Sequence, residues 1–205
     1  MVDEIGAVVL AAGMSLRMEQ PKLLLPWGKS TIIEEVIDAI QANRIADIIV
    51  VTGAFHQQIT DLVKIRPVKL AFNPDFEDGS MLHSLQVGLS ALSGSTRAAL
   101  VALGDQPMIN KEVIGNLLAE FHSKQPCFLV PSFQGHRGHP WIFDRQYFGE
   151  IMAMPVQATL RDFLNLHAPE ITYLDVKTDS ILVDIDTPED YQRLQNKDHK
   201  KKSQP

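Results

Sequence analysis

Short, uninterrupted apolar runs recur along this chain, separated by segments in which apolar residues return at helical spacing. Three of the runs lie at residues 7–10, 48–51 and 98–103. A strand that is solvated on one face alternates apolar and polar residues, whereas a strand buried on both faces is apolar throughout. These runs therefore predict a sheet that is covered by helices on both sides.

The order of the predicted elements constrains the topology. The predicted strands span residues 6–10, 47–52, 69–72, 98–103, 127–131, 141–143, 171–176 and 182–185. The predicted helices span residues 31–43, 56–64, 82–92, 111–123, 158–166 and 188–194. Strands that alternate with helices predict a Rossmann-like α/β fold, with a doubly wound, mostly parallel sheet and right-handed crossovers.

Two helix starts carry capping residues. Thr31 precedes Glu34 by three positions, a spacing that favours a capping box in front of an amphipathic helix. Near the C-terminus, Thr187 is a good N-cap and Pro188 suits the first helical position. We therefore expect helices to begin at these two places.

The composition fits one globular domain. The chain has 205 residues, 45% of them hydrophobic, and a chain of this length ordinarily forms one domain with a substantial core. We assign residues 1–195 to a single domain. Residues 196–205 are polar and include three consecutive lysines, so we expect them to form a disordered, solvated tail.

Charge and cysteine content exclude several classes of protein. The formal net charge of −6 argues against a general nucleic-acid binder, which needs a basic face. The single Cys127 excludes an internal disulfide and a four-cysteine zinc site.

No apolar stretch approaches the roughly 20 residues that span a bilayer, and the N-terminus lacks the features of a signal peptide. We expect a cytoplasmic protein without a membrane partner.

The segment after the first predicted strand has the residues of an anion-binding turn. Ala11, Ala12 and Gly13 are small enough for the backbone to approach a ligand, and free amides in such a turn attract phosphate. Arg17 and Lys22 follow, and they suit phosphate oxygens as a fork and as a point charge. The alternative is an ordinary strand-to-helix turn with two solvated cations.

Two other phosphate-binding patterns are not supported. Residues 28–31 read Gly-Lys-Ser-Thr, like the end of a P-loop, but that pattern needs a glycine five residues before Gly28, where Leu23 stands. No Gly-x-Gly-x-x-Gly segment follows the first strand, so a dinucleotide-binding fold is not favoured.

Acidic residues follow two other predicted strands. Asp105 comes just after the strand at 98–103, where a carboxylate can hold Mg²⁺ against a triphosphate; the alternative is a residue that only forms the turn. Asp186 follows the strand predicted at 182–185. Helix-start chemistry explains Glu189 and Asp190 after it, but it does not explain Asp186.

Four segments, in this order along the chain, resemble the MobA-like NTP transferases, and most closely their molybdenum cofactor cytidylyltransferase branch. The first is the loop at residues 10–22, Leu-Ala-Ala-Gly-x-Ser-x-Arg-Met-x-x-x-Lys. The others are Gly-Asp-Gln-Pro at 104–107, Gly-His-Pro at 138–140 and Asp-Ile-Asp-Thr-Pro-Glu-Asp at 184–190. Residues 78–85 are also similar, and the resemblance spans roughly residues 5 to 195.

The resemblance implies roles around the triphosphate. Residues that would lie along the nucleotide are Leu10, Ala11, Ala12 and Gly13. Arg17 would hold the β- and γ-phosphates, and Lys22 would hold the α-phosphate. Asp105 would bind Mg²⁺, with Asp186 as the second carboxylate and Asp184 as the competing choice.

The resemblance also implies contacts with the base and the acceptor. Gly79, Met81 and Ser84 would flank the base, while Gly138 and His139 would face the acceptor. The fold implied is that of the nucleotide-diphospho-sugar transferases. The family usually has glycine after the Arg-Met pair of the first loop, where this chain has Glu19.

The implied reaction moves CMP from CTP to molybdopterin and releases pyrophosphate, with a molybdoenzyme as a further partner. Two alternatives stay open. One is a cytidylyltransferase for a sugar 1-phosphate or another small phosphorylated acceptor. The other is a non-catalytic chaperone that passes a nucleotide-bearing cofactor to a client enzyme. The presence of Arg17, Lys22 and Asp105 favours an enzyme.

Overall fold

The computed structural model describes residues 5–78, 80–155 and 157–202. The strands are β1 Ile5–Ala11, β2 Pro26–Trp27, β3 Ser30–Thr31, β4 Ile48–Thr52, β5 Lys69–Phe72, β6 Ala98–Leu103, β7 Phe128–Phe133, β8 His136–Arg137, β9 Trp141–Asp144 and β10 Ile171–Asp175. The α-helices are α1 Ile32–Gln41, α2 His56–Val63, α3 Met81–Ala91, α4 Lys111–Lys124, α5 Phe148–Ala153, α6 Leu160–Leu166 and α7 Pro188–Lys202.

The central sheet has the strand order β10-β7-β9-β6-β1-β4-β5, with β8 added to β7. Strands β6, β1, β4 and β5 run parallel to one another, and β7 and β10 form a second parallel pair. Strand β9 joins the two groups and is antiparallel to both. The prediction of a mostly parallel, doubly wound α/β sheet is confirmed.

The two faces of the sheet carry separate apolar cores. In β1, Val9 belongs to a core that includes residues of α1, α2 and α4. Val8 belongs to the core on the opposite face, which includes residues of α3, α5 and α6. Both valines are completely buried, because adjacent residues of a strand point to opposite faces. This explains why β1 is apolar throughout.

The topology brings two loops together at one edge of the sheet. Strand β1 pairs with β4 on one side and with β6 on the other. The chain proceeds from β1 to β4 and β5, then returns through α3 to β6, so strand addition changes direction at β1. Ligands of open α/β sheets bind beyond the carboxyl ends of strands at such a point. The loops after Ala11 and Leu103 lie there.

The capping predictions are confirmed. A capping box joins Thr31 and Glu34 at the start of α1. Helix α7 begins at Pro188, where the Thr187 hydroxyl accepts a hydrogen bond from the Asp190 backbone N–H at 3.2 Å. The Gly-Lys-Ser-Thr segment forms the turn and second strand of the β2–β3 hairpin, with Gly28 at a φ of 61°, and not a phosphate loop.

The predicted strand at residues 182–185 is wrong. Residues 179–182 form a 3₁₀ helix, and the next residues cross the end of β6 instead of joining the sheet. Residues 183–186 alternate between apolar and polar, because Ile185 is buried while part of the Asp184 surface stays exposed. Sequence reasoning also missed α5 and the short strands β2, β3 and β8. It ended α7 at residue 194, although the helix continues to Lys202, into the segment expected to be a tail. Among the described residues, no helix is long and apolar enough to cross a membrane.

Candidate nucleotide-binding site

A cleft of about 350 Å³ opens where the loops after β1 and β6 meet. Its volume is in the range of small-molecule sites. Ten of the predicted site residues line it: Leu10, Ala11, Ala12, Gly13, Arg17, Lys22, Met81, Ser84, Asp105 and Asp186. The structure thus brings together residues from both ends of the chain.

The loop after β1 forms one wall of the cleft. Gly13 is exposed, and a Cβ atom added to it would meet no atom of the other described residues, its two chain neighbours aside, within 4 Å. The space beside its backbone is therefore open to a ligand. The loop then turns at Ser15, which has a φ of 54° and whose hydroxyl accepts a hydrogen bond from the Lys22 backbone N–H at 3.3 Å.

The backbone conformation at Glu19 is one that suits the glycine which the family resemblance implies at this position. Glu19 has a φ of 54°, a left-handed conformation that glycine adopts without the steric cost that a Cβ imposes. Glu19 is exposed to solvent. The chain therefore keeps the turn while the glutamate carries its side chain into solvent.

Four charged side chains meet at the mouth of the cleft. The Lys22 Nζ atom donates to Asp105 Oδ2 at 2.5 Å, to the Ile185 carbonyl at 2.9 Å and to Asp186 Oδ1 at 3.2 Å. The Arg17 guanidinium lies 2.8 Å from Asp186 Oδ2. We call Arg17, Lys22, Asp105 and Asp186 the charge cluster.

The charge cluster is balanced and unequally shielded. Its two cations offset its two carboxylates. The side chains of Lys22 and Asp105 are 14% and 20% exposed, whereas that of Arg17 is 69% exposed. Interactions between shielded charges are stronger than those at the surface. The Lys22–Asp105 ion pair is therefore stronger than the exposed ion pair of Arg17 with Asp186, and Arg17 can exchange Asp186 for a ligand at lower cost.

Close backbone contacts fix Asp105. The N–H of Gly104 donates to the Leu10 carbonyl at 2.9 Å, which ties the β6 loop to β1. A Cβ atom at Gly104 would lie 3.0 Å from that carbonyl oxygen, so glycine permits this approach. The Asp105 carbonyl in turn accepts a hydrogen bond from the Ile185 N–H at 3.2 Å.

Asp184 and Asp186 occupy different surroundings. Asp186 lines the cleft, whereas Asp184 does not and instead accepts a hydrogen bond from Gln106 Nε2 at 2.5 Å. Partial burial of its carboxyl group, with the charges of Asp105 and Asp186, raises the pKa of Asp184 despite that hydrogen bond. Of the two aspartates, Asp186 is therefore the one placed to meet a ligand in the cleft.

The N-terminus of α3 forms the opposite wall. Met81 and Ser84 line the cleft there, and the buried Ser84 hydroxyl accepts a hydrogen bond from Asn73 Nδ2 at 3.0 Å. Gly79, the third residue expected beside the base, lies outside the described residues. Sequence reasoning missed Phe76 and Ser80 in this wall. Ser80 could have been found, because it is the N-cap of α3 and accepts from the His83 N–H at 3.1 Å.

Gly138 and His139 do not line the cleft. His139 is 8% exposed, and burial lowers its pKa to about 3, so the imidazole is neutral. Its ring packs edge-on against Trp141 with centroids 4.1 Å apart. The Gly138 N–H donates to the Pro131 carbonyl at 3.0 Å. Contact of these residues with an acceptor stays a prediction, while their packing accounts for their burial.

Gly138→Ala should lower the free energy of unfolding by about 1–3 kcal/mol, the usual cost of overpacking. A Cβ atom there would lie 2.2 Å from the Ile181 carbonyl oxygen, and backbone must move to admit it. Urea unfolding measures the change. Gly149→Ala is the matched control, because a Cβ atom at Gly149 would meet no side chain or neighbouring element of the described part of the chain within 4 Å and alanine favours α5. Equal stability of Gly138→Ala and wild type would contradict the packing role.

Comparison with known proteins agrees with this geometry. Residues 7–171 match the MobA-like NTP transferase domain. The chain is 26% identical over 195 residues to the molybdenum cofactor cytidylyltransferase of Escherichia coli, covering 93% of this chain and 95% of that protein. It is 27% identical over 202 residues to the nicotine blue oxidoreductase of Paenarthrobacter nicotinovorans, covering 93% and 96%.

A solved structure shares the fold. The crystal structure of Rv0371c from Mycobacterium tuberculosis aligns with a TM-score of 0.83 at 23% identity, covering 96% of this chain and 100% of that one. Its manganese complex aligns with a TM-score of 0.74 at 23% identity, covering 94% and 98%. The family match extends over most of the described sheet and includes the loops after β1 and β6. The chain therefore belongs to the MobA-like NTP transferase family.

Proposed function

We propose that this protein transfers CMP from CTP to a molybdopterin-type acceptor and releases pyrophosphate, with Mg²⁺ as its cofactor. The observation that carries the proposal is the charge cluster at the mouth of the cleft. It sets two cations and two carboxylates beside a backbone turn that is open to a ligand. A triphosphate with a divalent ion brings the charges that such a cluster can bind.

The residues fit a divalent ion that arrives with a nucleotide. Asp105 and Asp186 reach the same Lys22 ammonium, so one cation can contact both carboxylates. Among the described residues, no three His, Cys, Asp or Glu side chains gather to hold a metal. Mg²⁺ commonly uses one or two carboxylates and completes its shell with phosphates and water. The manganese complex of Rv0371c supports a divalent ion in this fold.

The proposed reaction is an in-line displacement at the α-phosphorus. A phosphate oxygen of the acceptor attacks, the bond to the β-phosphate breaks, and pyrophosphate leaves. The ion held by Asp105 and Asp186 would supply positive charge to the triphosphate. Lys22 would leave Asp105 for the α-phosphate, and Arg17 would turn from Asp186 to the departing pyrophosphate. Catalysis then depends on positioning and on charge stabilisation.

The residues of the cleft favour one of two reactions that the relatives leave open. Two relatives of nearly equal identity are named for different reactions, a cytidylyl transfer and an oxidoreduction. Paired Lys22 and Asp105 in the cleft suit phosphate and metal, so they favour nucleotidyl transfer. The proposed acceptor follows the likeness to the Escherichia coli enzyme, and a molybdoenzyme that receives the product is the proposed further partner.

A pyrophosphate-release assay tests the function. The protein is incubated with Mg²⁺ and each of ATP, GTP, CTP and UTP, with and without molybdopterin. We expect release with CTP that depends on molybdopterin. Release with CTP and another phosphorylated acceptor, but not with molybdopterin, would reject the proposed acceptor and keep the reaction class. Tight CTP binding without release under any condition would indicate a non-catalytic nucleotide-binding protein.

Ala12→Gly should shift nucleotide preference partly from CTP toward GTP. Ala12 is buried and lines the cleft, and its methyl group takes up space that the wider guanine needs. One methyl-sized contact is worth about 1–3 kcal/mol of discrimination, roughly ten- to two-hundredfold. The ratio of kcat/KM for CTP and GTP, measured in both proteins, gives the shift.

The control for this change is Ala54→Gly. The backbone N–H of Ala54 donates a hydrogen bond to the Ala12 carbonyl at 3.4 Å. Ala54 is therefore close to Ala12, but it does not line the cleft. We expect its CTP-to-GTP ratio to match that of wild type. A wild-type preference for GTP, or an Ala12→Gly ratio unchanged from wild type, would show that Ala12 does not set base choice.

A further inference from the structure

The segment that carries Asp186 has no secondary structure of its own. Residues 183–187 follow a 3₁₀ helix and precede α7, and no strand pairs with them. A carboxylate that must meet a ligand within a few tenths of an ångström needs support that this backbone does not supply by itself. The contacts that hold the segment therefore decide where Asp186 lies.

Apart from the contacts of the Asp186 carboxylate itself with Lys22 and Arg17, three hydrogen bonds attach the segment to the site. The Ile185 N–H donates to the Asp105 carbonyl at 3.2 Å, and the Ile185 carbonyl accepts from Lys22 Nζ at 2.9 Å. The third joins Gln106 Nε2 to Asp184 Oδ1 at 2.5 Å. The Lys22 contact must be given up if Lys22 moves to a phosphate. Two attachments then remain, and only one of them is made by side chains.

Gln106 is a buried polar residue, and one of its side-chain polar atoms is unpaired. The residue is 3% exposed, and its Oε1 atom has no hydrogen-bond partner among the described residues. An unpaired buried polar group destabilises the folded protein, so an apolar residue would suit the position better if packing alone mattered. The contact that a glutamine makes here, and a leucine cannot, is the hydrogen bond to Asp184.

We propose that Gln106 is a positioning residue that anchors Asp184 and so holds Asp186 in its place beside the other three members of the charge cluster. Asp184 serves as the acceptor of this hydrogen bond and not as a metal ligand. The inference rests on the proposed function, because it assigns Asp186 to the divalent ion. Gln106 follows Asp105 directly, so one loop supplies one carboxylate and fixes the position of the other.

Gln106→Leu and Asp184→Ala should weaken Mn²⁺ binding in the presence of a CTP analogue whose α,β-bridge is a methylene. Loss of a residue that orients a metal ligand typically costs roughly 10–100-fold in metal affinity. Electron paramagnetic resonance of free Mn²⁺ measures the affinity. Asp184→Asn should bind Mn²⁺ as wild type does, within a few-fold, because its amide oxygen still accepts from Gln106. A loss in Asp184→Asn as large as in Asp184→Ala would overturn the proposal.

Gln86→Leu controls for the loss of a partly buried glutamine. Gln86 Nε2 donates to the Ile151 carbonyl at 2.9 Å and the Met154 carbonyl at 3.2 Å, on the α3–α5 side of the sheet and outside the cleft. We expect its Mn²⁺ affinity to equal that of wild type. Weakening equal to that of Gln106→Leu would mean that any such loss disturbs the site, and this would overturn the specific role of Gln106.

Amide hydrogen exchange separates this inference from the proposed function. Exchange at Ile185, whose N–H is bonded to Asp105, should be faster in Gln106→Leu and in Asp184→Ala and unchanged in Asp184→Asn. The measurement needs neither metal nor nucleotide. If the wild-type protein bound no Mn²⁺ in the presence of the analogue, the proposed function would fail. Amide exchange at Ile185 would still test whether Gln106 and Asp184 hold the segment. Unchanged exchange in Gln106→Leu would show that burial of Ile185 is enough, and the anchor would be rejected.

Discussion

Asp105→Asn should reduce nucleotidyl transfer by on the order of a hundred- to a thousandfold, the typical cost of one placed electrostatic element. The substitution keeps the side-chain volume and removes the charge that meets Lys22 at 2.5 Å. The backbone contacts of Asp105 with Ile185 are unaffected by it, so the fold should stay intact. Single-turnover rates at saturating Mg²⁺, together with thermal unfolding, measure both effects.

Asp179→Asn is the control for this loss of charge. Asp179 forms an exposed ion pair with Lys197 and does not line the cleft. Its rate should equal that of wild type, because exposed ion pairs contribute little. Activity of Asp105→Asn within a few-fold of wild type would remove Asp105 from the catalytic site.

Lys22→Met should have two effects of opposite direction. Transfer should fall by on the order of a hundred- to a thousandfold, since the ammonium no longer stabilises the phosphates. Mn²⁺ binding without nucleotide should become tighter, because Lys22 in the free protein occupies the position between Asp105 and Asp186. In wild type a lone divalent ion would add two positive charges to a balanced cluster, whereas a triphosphate offsets them.

Single-turnover kinetics and nucleotide-free Mn²⁺ titration of Lys22→Met check these effects. Lys29→Met is the matched control, since Lys29 is exposed in the β2–β3 turn and lies outside the cleft. It should match wild type in both measurements. If Lys22→Met bound free Mn²⁺ no better than wild type, Lys22 would not compete for the metal position.

Local features of the fold could be predicted because their causes are local. The apolar run in β1 reports burial on both faces, and the Thr31–Glu34 spacing reports a capping box; both are found. The strand predicted at residues 182–185 is wrong because the burial of these residues comes from contacts with parts of the chain that are distant in sequence. Alternation of apolar and polar residues shows only which side chains are buried. A loop that crosses the end of β6 therefore gives the same sequence pattern as an edge strand.

The site could be predicted only as residue types at strand ends. Arg17 and Lys22 after β1, and Asp105 after β6, stand out in the sequence because ligands of open α/β sheets bind beyond the carboxyl ends of the strands. The contact of Lys22 with Asp105 and Asp186 spans 83 and 164 positions, and no spacing rule reaches that far. Gly138 is a residue that the sequence assigned to a ligand and that the fold uses for packing. Its contact with Ile181 also joins positions that are distant in sequence. A glycine needed for close packing cannot be told from one needed by a ligand without the fold.

Transfer of the α-phosphate tests the central claim most directly. CTP labelled at the α-phosphate is incubated with the protein, Mg²⁺ and molybdopterin, and the labelled acceptor and pyrophosphate are quantified together. We predict that label enters the acceptor in an amount equal to the pyrophosphate released, and that Asp105→Asn lowers the rate of both by on the order of a hundred- to a thousandfold. Release of inorganic phosphate in place of pyrophosphate, or no transfer of label from any of the four nucleoside triphosphates, would contradict nucleotidyl transfer at this cleft.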